Sequence, residues 1–257
     1  MKRILFLSFI AVGLLAATLS VSSPRSNAMP AVCTPTGFFR DGINMTAALI
    51  NPLAVTGEVN ATGCNIGVYY DPGVTGTINA ADIHGANYFG VVNRQGNVTI
   101  TDSQIHDIGE TPHNGTQHGV AVYYATVTII SNCDPAGSTT GTIDGNTISN
   151  YQKGGITVNC AGTNVTVTDN TVSGLGRVDF IAQNGIQFGF GASGLVRGNT
   201  ITDNFYTGSA GVGPNPGGQN PPGWEYVSAG LLLYQPGDVK RSNNKYSGNQ
   251  HNQLMVP

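Results

Sequence analysis

Gly141-Thr-Ile-Asp-Gly-Asn-Thr-Ile148, Asn164-Val-Thr-Val-Thr-Asp-Asn-Thr-Val172 and Gly194-Leu-Val-Arg-Gly-Asn-Thr-Ile201 are three copies of one pattern. Asn146, Asn170 and Asn199 return after 24 and 29 residues, a period that signals a solenoid. Each copy sets two apolar residues around a polar corner: Ile143 and Ile148, Val167 and Val172, Val196 and Ile201. One turn of chain therefore buries a side chain on either side of a bend, and the Asn makes the bend.

Working outward, Ile78 with Ile83 and Ile100 with Ile105 repeat the apolar pair around Ala81 and Ser103, and Asn244 with Tyr246 restores the corner near the C-terminus. Arg241 then takes an inward place, as an end coil tolerates. A second element follows each corner, as in Gly119-Val-Ala-Val-Tyr-Tyr124, Gly155-Ile-Thr-Val-Asn159, Gly185-Ile-Gln-Phe188 and Gly230-Leu-Leu-Leu-Tyr234. Its two-residue alternation predicts a strand. Val120, Val122, Ile156, Val158, Ile186, Phe188, Leu231 and Leu233 should point inward; Ala121, Tyr123, Thr157, Asn159, Gln187, Leu232 and Tyr234 should point outward.

Two strands per period, bent at Asn, stack into an all-β, right-handed parallel β-helix wound from one chain, the hand following from the parallel crossover preference. An antiparallel sandwich is the rival, but its strands would not recur with one corner residue. On the G-N-T-I corners and G-I-x-V strands, residues 55 to 250 resemble the right-handed β-helix repeat proteins of the pectin-lyase-like superfamily. That resemblance implies a polysaccharide groove along a strip of turns, in a superfamily that hosts lyases, hydrolases, epimerases, adhesins and tailspikes.

Residues 1–28 read as a secretory signal peptide: Lys2 and Arg3 precede an apolar run from Ile4 to Leu19, and Ser26-Asn27-Ala28 offers a small-x-small cleavage site. No second apolar run follows, so no membrane span is expected after cleavage. Residues 29–54 form the N-terminal cap, with Met45, Leu49, Ile50 and Leu53 spaced for a short amphipathic helix from Arg40 to Leu53. Residues 55–257 are the β-helix domain, interrupted by a strand-like run from Thr126 to Ile130 and by a Gly/Pro-rich loop at 206–225. Without the signal, acidic residues outnumber basic ones further than the net charge of −3 for the whole chain indicates. Nucleic acid is therefore an improbable partner, and a monomer is expected. Four Cys in an exported chain suggest two disulfides. Cys133 and Cys160 hold matching places on adjacent coils, which pairs them and leaves Cys33 with Cys64; reduced, buried thiols are the alternative.

Charged residues are only 10% of the chain, so their placement informs. The turns between each corner and the next strand gather His84, His106, Asp107, Glu110, His113, His118, Lys153, Arg177 and Asp179, with Gln183. His84 and His106 follow matching isoleucines and should stack. A catalytic set of His106, Asp107, Lys153 and Asp179 could serve two chemistries. A lyase or epimerase needs a base and a neutralising cation, Arg177 or a Ca²⁺ ion on Asp107, Glu110 and Asp179; a hydrolase needs two carboxylates, Asp107 with Asp179. His84, Glu110, His118, Tyr123, Arg177, Gln183 and Trp224 are candidate substrate contacts, the aromatic ones as stacking faces for sugars. The alternative is that these turns are only solvated. The expected partner is an extracellular polysaccharide; the competing class is an adhesive or structural surface module.

Overall fold

The computed structural model describes residues 31–208 and 227–257. The expected signal peptide, and Trp224 with most of its loop, lie outside the described residues.

Each circuit is built around a corner that reverses the chain cheaply. The residue before the corner side chain sits in the left-handed region: Ala80, Asp102, Gly145, Asp169, Gly198 and Asn243 have φ between 49° and 73°. Gly, Asp and Asn enter that region at little cost. The next residue turns its side chain inward, and these form one column: Ala81, Ser103, Asn146, Asn170, Asn199 and Asn244. Asn170 shows what the column does. Its Nδ2 donates to Asn199 Oδ1 and to the Ile143 carbonyl, both at 2.9 Å, and its Oδ1 accepts from the Asn146 backbone N–H and Nδ2, both at 2.9 Å. A bend between two buried strands would otherwise strand its polar groups away from water, so every bond the amide can make is used.

The corner separates the second and third strands of a circuit, so each full circuit has three strands rather than the two read from the sequence. One circuit is Gly154–Asn159, Thr163–Thr168 and Thr171–Val178; the next is Asn184–Gly189, Ser193–Arg197 and Thr200–Tyr206. First strands stack into a nine-stranded sheet. Second and third strands share a twelve-stranded sheet, because Thr75–His84 runs unbroken through both faces. Pairing between coils is parallel and in register, Ile143 beside Val167 and Val167 beside Val196.

Inside, volume is matched within a circuit. Where the first strand points a large ring inward (Tyr70, Tyr124, Phe188), the second strand answers with Gly76, Gly141 or Gly194. A Cβ on these would fall 2.2 Å from Tyr70 Cε1, 2.8 Å from Tyr124 Cε1 and 3.0 Å from Phe188 Cε1. Where the first strand carries Val158 or Leu233, the second carries Val165 or Val239.

The N-terminal cap departs from the expected helix. It is an antiparallel hairpin, β1 (Thr34–Arg40) and β2 (Ile43–Ile50), closed by Asp41 and Gly42, both at positive φ. Asp-Gly is a strong hairpin signal, and Met45 and Ala47 are buried at a spacing of two, which defeats the helical reading. β2 is the first rung of the nine-stranded sheet, pairing in parallel with Ile66–Tyr70. β1 brings Phe38 into a buried cluster with Tyr69, Phe89, Val120 and Tyr123. Tyr123 therefore faces outward as expected but is buried. Val120 and Ala121 exchange their expected roles: Val120 joins this outer cluster and Ala121 the inner core.

Residues 126–130 are not a strand. They begin an insert that makes one bridge, Val127 to Cys133, and clasps β1 through Phe39 N–H to the Ile129 carbonyl and Ser131 Oγ to the Phe39 carbonyl, each 2.6 Å. Both expected disulfides are present, Cys33–Cys64 and Cys133–Cys160, with Cα atoms 5.3 and 5.4 Å apart. Arg241 takes the expected inward register place beside Val196 and is exposed there, because the last coil has no further rung to cover it.

Asn170→Ala should lower unfolding stability by roughly 2–5 kcal/mol, since it strands several buried groups at about 1–3 kcal/mol each. Asn244→Ala, at the half-buried end of the column, should cost clearly less; equal losses in thermal melts would refute the column's role. Gly76→Val should destabilise by about 1–3 kcal/mol or more through overpacking against the Tyr70 ring, which alone crowds that position, and pairing it with Tyr70→Val should recover part of the loss.

Candidate functional site

The third strands end at a second bend, and here the corner residues point to solvent. His84 closes Thr75–His84, His106 closes Gln104–His106, and the register sets one above the other. Their rings stack 5.3 Å apart and 9° from parallel, as the sequence suggested. Each ring is held by carboxylates. His84 Nε2 lies 3.2 Å from Glu58 Oε1; His106 has Nε2 2.8 Å from Asp82 Oδ1 and Nδ1 2.8 Å from Asp107 Oδ2. Both ring nitrogens of His106 are therefore taken up by carboxylates.

Asp107 sits in the left-handed region at this bend, as do Gly85 below it and Asn150 above. Burial pushes its pKa upward, but hydrogen bonds from Asn150 and His106 and the nearby imidazoles outweigh it, leaving the carboxyl below its ordinary value. It is an ionised acceptor at neutral pH, not a proton donor.

The chain then leaves the repeat. Residues 109–118 form a loop wrapped around the buried Gln152 side chain, whose Oε1 accepts from Glu110 N–H (3.1 Å) and Asn114 N–H (3.2 Å) and whose Nε2 donates to the carbonyl and the hydroxyl of Thr116, both at 2.7 Å. The loop's inner side carries His113, with Nδ1 2.9 Å from the Glu110 carbonyl and Nε2 3.2 Å from Asn150 Oδ1. Glu110 Oε1 is 2.6 Å from His118 Nε2, and the His118 ring stacks on Tyr88 at 3.9 Å. Between loop and corners lies an open cleft of about 500 Å³, lined by His84, Asp107, Glu110, Pro112, His113 and Asn150 among others.

The expected site residues thus divide. His84, Asp107 and Glu110 line the cleft, with His106 and His118 one hydrogen bond behind. Lys153 and Asp179 line no part of it. Lys153 is half-buried, its amine donating to the Ala182 carbonyl at 2.9 Å, and burial pulls its pKa down to about 8. Asp179 is exposed, and the Arg177 guanidinium lies 3.9 Å over the Phe205 ring. Gln183 is fully buried, holding the Tyr151 and Gln152 carbonyls and the Leu175 N–H. Tyr123 is covered by β1. Asp107, Glu110 and Asp179 form no calcium site: among the described residues no group of three or more His, Cys, Asp or Glu could hold a metal ion. His113 belongs to the strip of turn residues read from the sequence but not to its catalytic or substrate-contact sets, and Asn150, Gln152 and Tyr88 carry no such expectation; the polar run from Glu110 to His118 is the signal that points to them.

Residues 135–256 match the family model described as the right handed beta helix region. The matched stretch is a right-handed β-helix region by that model, and the fold it belongs to is an all-β parallel β-helix. No curated protein and no solved structure matches it. Of the cleft residues only Asn150 falls within the matched stretch, so the match speaks to the β-helix and not to its cleft. Two disulfides suit an oxidising compartment, and no described helix is long and apolar enough to cross a membrane.

The Lys153 amine gives the β-helix a measurable alkaline signature. Its folded pKa, about 8, is below its ordinary 10.5, so between those values the unfolded chain binds more protons and stability should rise with pH. Chemical denaturation at pH 8 and pH 9, below the range in which the tyrosines of the unfolded chain ionise, should show this rise, and Lys153→Met should flatten it.

Proposed function

We propose that this β-helix is exported and binds an extracellular polysaccharide in the cleft between the His84, Asp107 and Asn150 corners and the 109–118 loop. The observation that carries this reading is the cleft itself. Its volume of about 500 Å³ suits a short run of sugars by the usual size of ligand sites. Its wall presents carboxylate, amide and imidazole groups, which are the partners that sugar hydroxyls need, and flat imidazole faces against which a sugar ring can lie. The loop is tied down by Gln152 before any ligand arrives, so little ordering cost remains to be met on binding. Export is supported by the signal-like N-terminus and by the two disulfides.

A second reading, processing of the bound glycan, is favoured by one feature. His106 holds Asp107 from behind the cleft wall, an arrangement that orients the Asp107 carboxylate as a base toward a bound sugar. The carboxylate pairing of Asp107 with Asp179 has no support from the cleft lining.

The purified protein is to be passed over a panel of immobilised polysaccharides, with soluble products assayed for new reducing ends and for the ultraviolet absorbance of unsaturated sugars. Retention without products marks a binding protein, reducing ends alone a hydrolase, and unsaturated products a lyase. His84→Ala should weaken retention on the order of tenfold, about 1.4 kcal/mol, with the cooperative thermal unfolding of the fold retained. Absence of retention on every glycan would refute the proposal.

A further inference from the structure

We infer that the ligand of this cleft is a cationic glycan, one whose sugars carry free amino groups. The inference rests on the cleft being the glycan site and adds which glycan it takes.

The argument is one of charge sign. The ionisable side chains in the cleft and directly behind it are four carboxylates, Glu58, Asp82, Asp107 and Glu110, and four imidazoles, His84, His106, His113 and His118. No Lys or Arg lines the cleft. With the imidazoles neutral the group carries four negative charges; with all of them protonated the charges cancel. Protonation of the histidines can therefore erase the cleft's negative charge but never turn it positive.

The cations of the neighbouring coils are committed elsewhere. Arg94 is bound to Asp71 and Tyr69 at the far end of its strand, Arg40 pairs with Asp41, and the Lys153 amine is turned to the Ala182 carbonyl. Asp107 stays ionised below the ordinary carboxyl range.

A uronate polymer brings one negative charge per sugar to this wall and finds no cation to receive it. A neutral polymer gains hydrogen bonds alone. An amino sugar brings an ammonium that can donate to Asp107 and Glu110, replacing imidazole N–H donors with a full charge at hydrogen-bonding distance.

The test uses the full chain and isothermal titration at neutral pH and low salt with three oligomers of equal length: glucosamine, N-acetylglucosamine and galacturonic acid. The glucosamine oligomer should bind at least about tenfold more tightly than its N-acetylated counterpart, and the galacturonate oligomer more weakly than either. The gap should shrink to roughly threefold or less at about 1 M salt, where screening is nearly complete. It should shrink likewise in a Glu110→Gln, Asp107→Asn double variant whose melting temperature confirms folding. Equal or tighter binding of the N-acetylated or galacturonate oligomer, lost in His84→Ala, would overturn the inference and leave the cleft as a glycan site. A lysine oligomer bound as tightly as the glucosamine oligomer would reduce the effect to bare charge attraction and overturn it too. No binding of any oligomer would remove both readings.

Discussion

The buried amide column is the constraint from which the remaining structure follows. A parallel coil this narrow must reverse between two strands that are both buried, and a reversal exposes backbone groups that have no strand partner. Left-handed residues make the reversal, and the Asn beside each one bonds the coil above and below. Because each amide spans three coils, it fixes the stagger of the strands on either side. Fixed stagger then places Tyr124 over Gly141 and Phe188 over Gly194 without clash. The hydrophobic effect supplies most of the favourable free energy, but it is indifferent to register; the amides are not.

This division explains what was legible in the sequence. Asn146, Asn170 and Asn199 recur because one bond pattern recurs, so their spacing alone exposed the coil. The same alignment set Cys133 beside Cys160 and His84 beside His106. Failures came where the contact partner belongs to a non-repeating segment. Tyr123 was correctly pointed outward, yet it is covered by β1, whose course depends on the Asp41-Gly42 turn and on the insert after Thr126. Gln183 sits in line with candidate polar turns, but its amide is consumed by carbonyls that no linear pattern reveals. Met45, Leu49 and Leu53 fit helical spacing as well as Met45 and Ala47 fit a strand; only the neighbouring rung, Ile66–Tyr70, decided between them.

The cleft occupies the place where the repeat is broken. The coils matched by the family model, from residue 135 onward, are the most regular, with short turns between rungs and no long excursion among the described residues before residue 206. The 109–118 loop lies outside them, in the circuit with the longest described turn between its third strand and the following rung. The stacked corners of His84, Asp107 and Asn150 supply one wall, at the fixed spacing of the rungs; the irregular loop supplies the opposite wall. Gln152 joins the two, since it belongs to a regular coil and its side chain is spent on the loop.

Scarcity of charge gives the placement of carboxylates its meaning. In a chain where charged side chains are a tenth of the residues, four carboxylates gathered at one bend on successive rungs cannot be ascribed to general solubility. Placed there without histidines they would repel one another at close range. The imidazoles separate them, His106 standing between Asp82 and Asp107 and His118 against Glu110. Stacking of His84 on His106 and of His118 on Tyr88 fixes the rings that do so. The stack is thus a spacer that lets a wall of negative charge exist on a narrow coil, and one bend earlier the start of the column, Ala81 N–H to Ser103 Oγ and Ser103 N–H to Asn146 Oδ1, ties the rungs of that wall together.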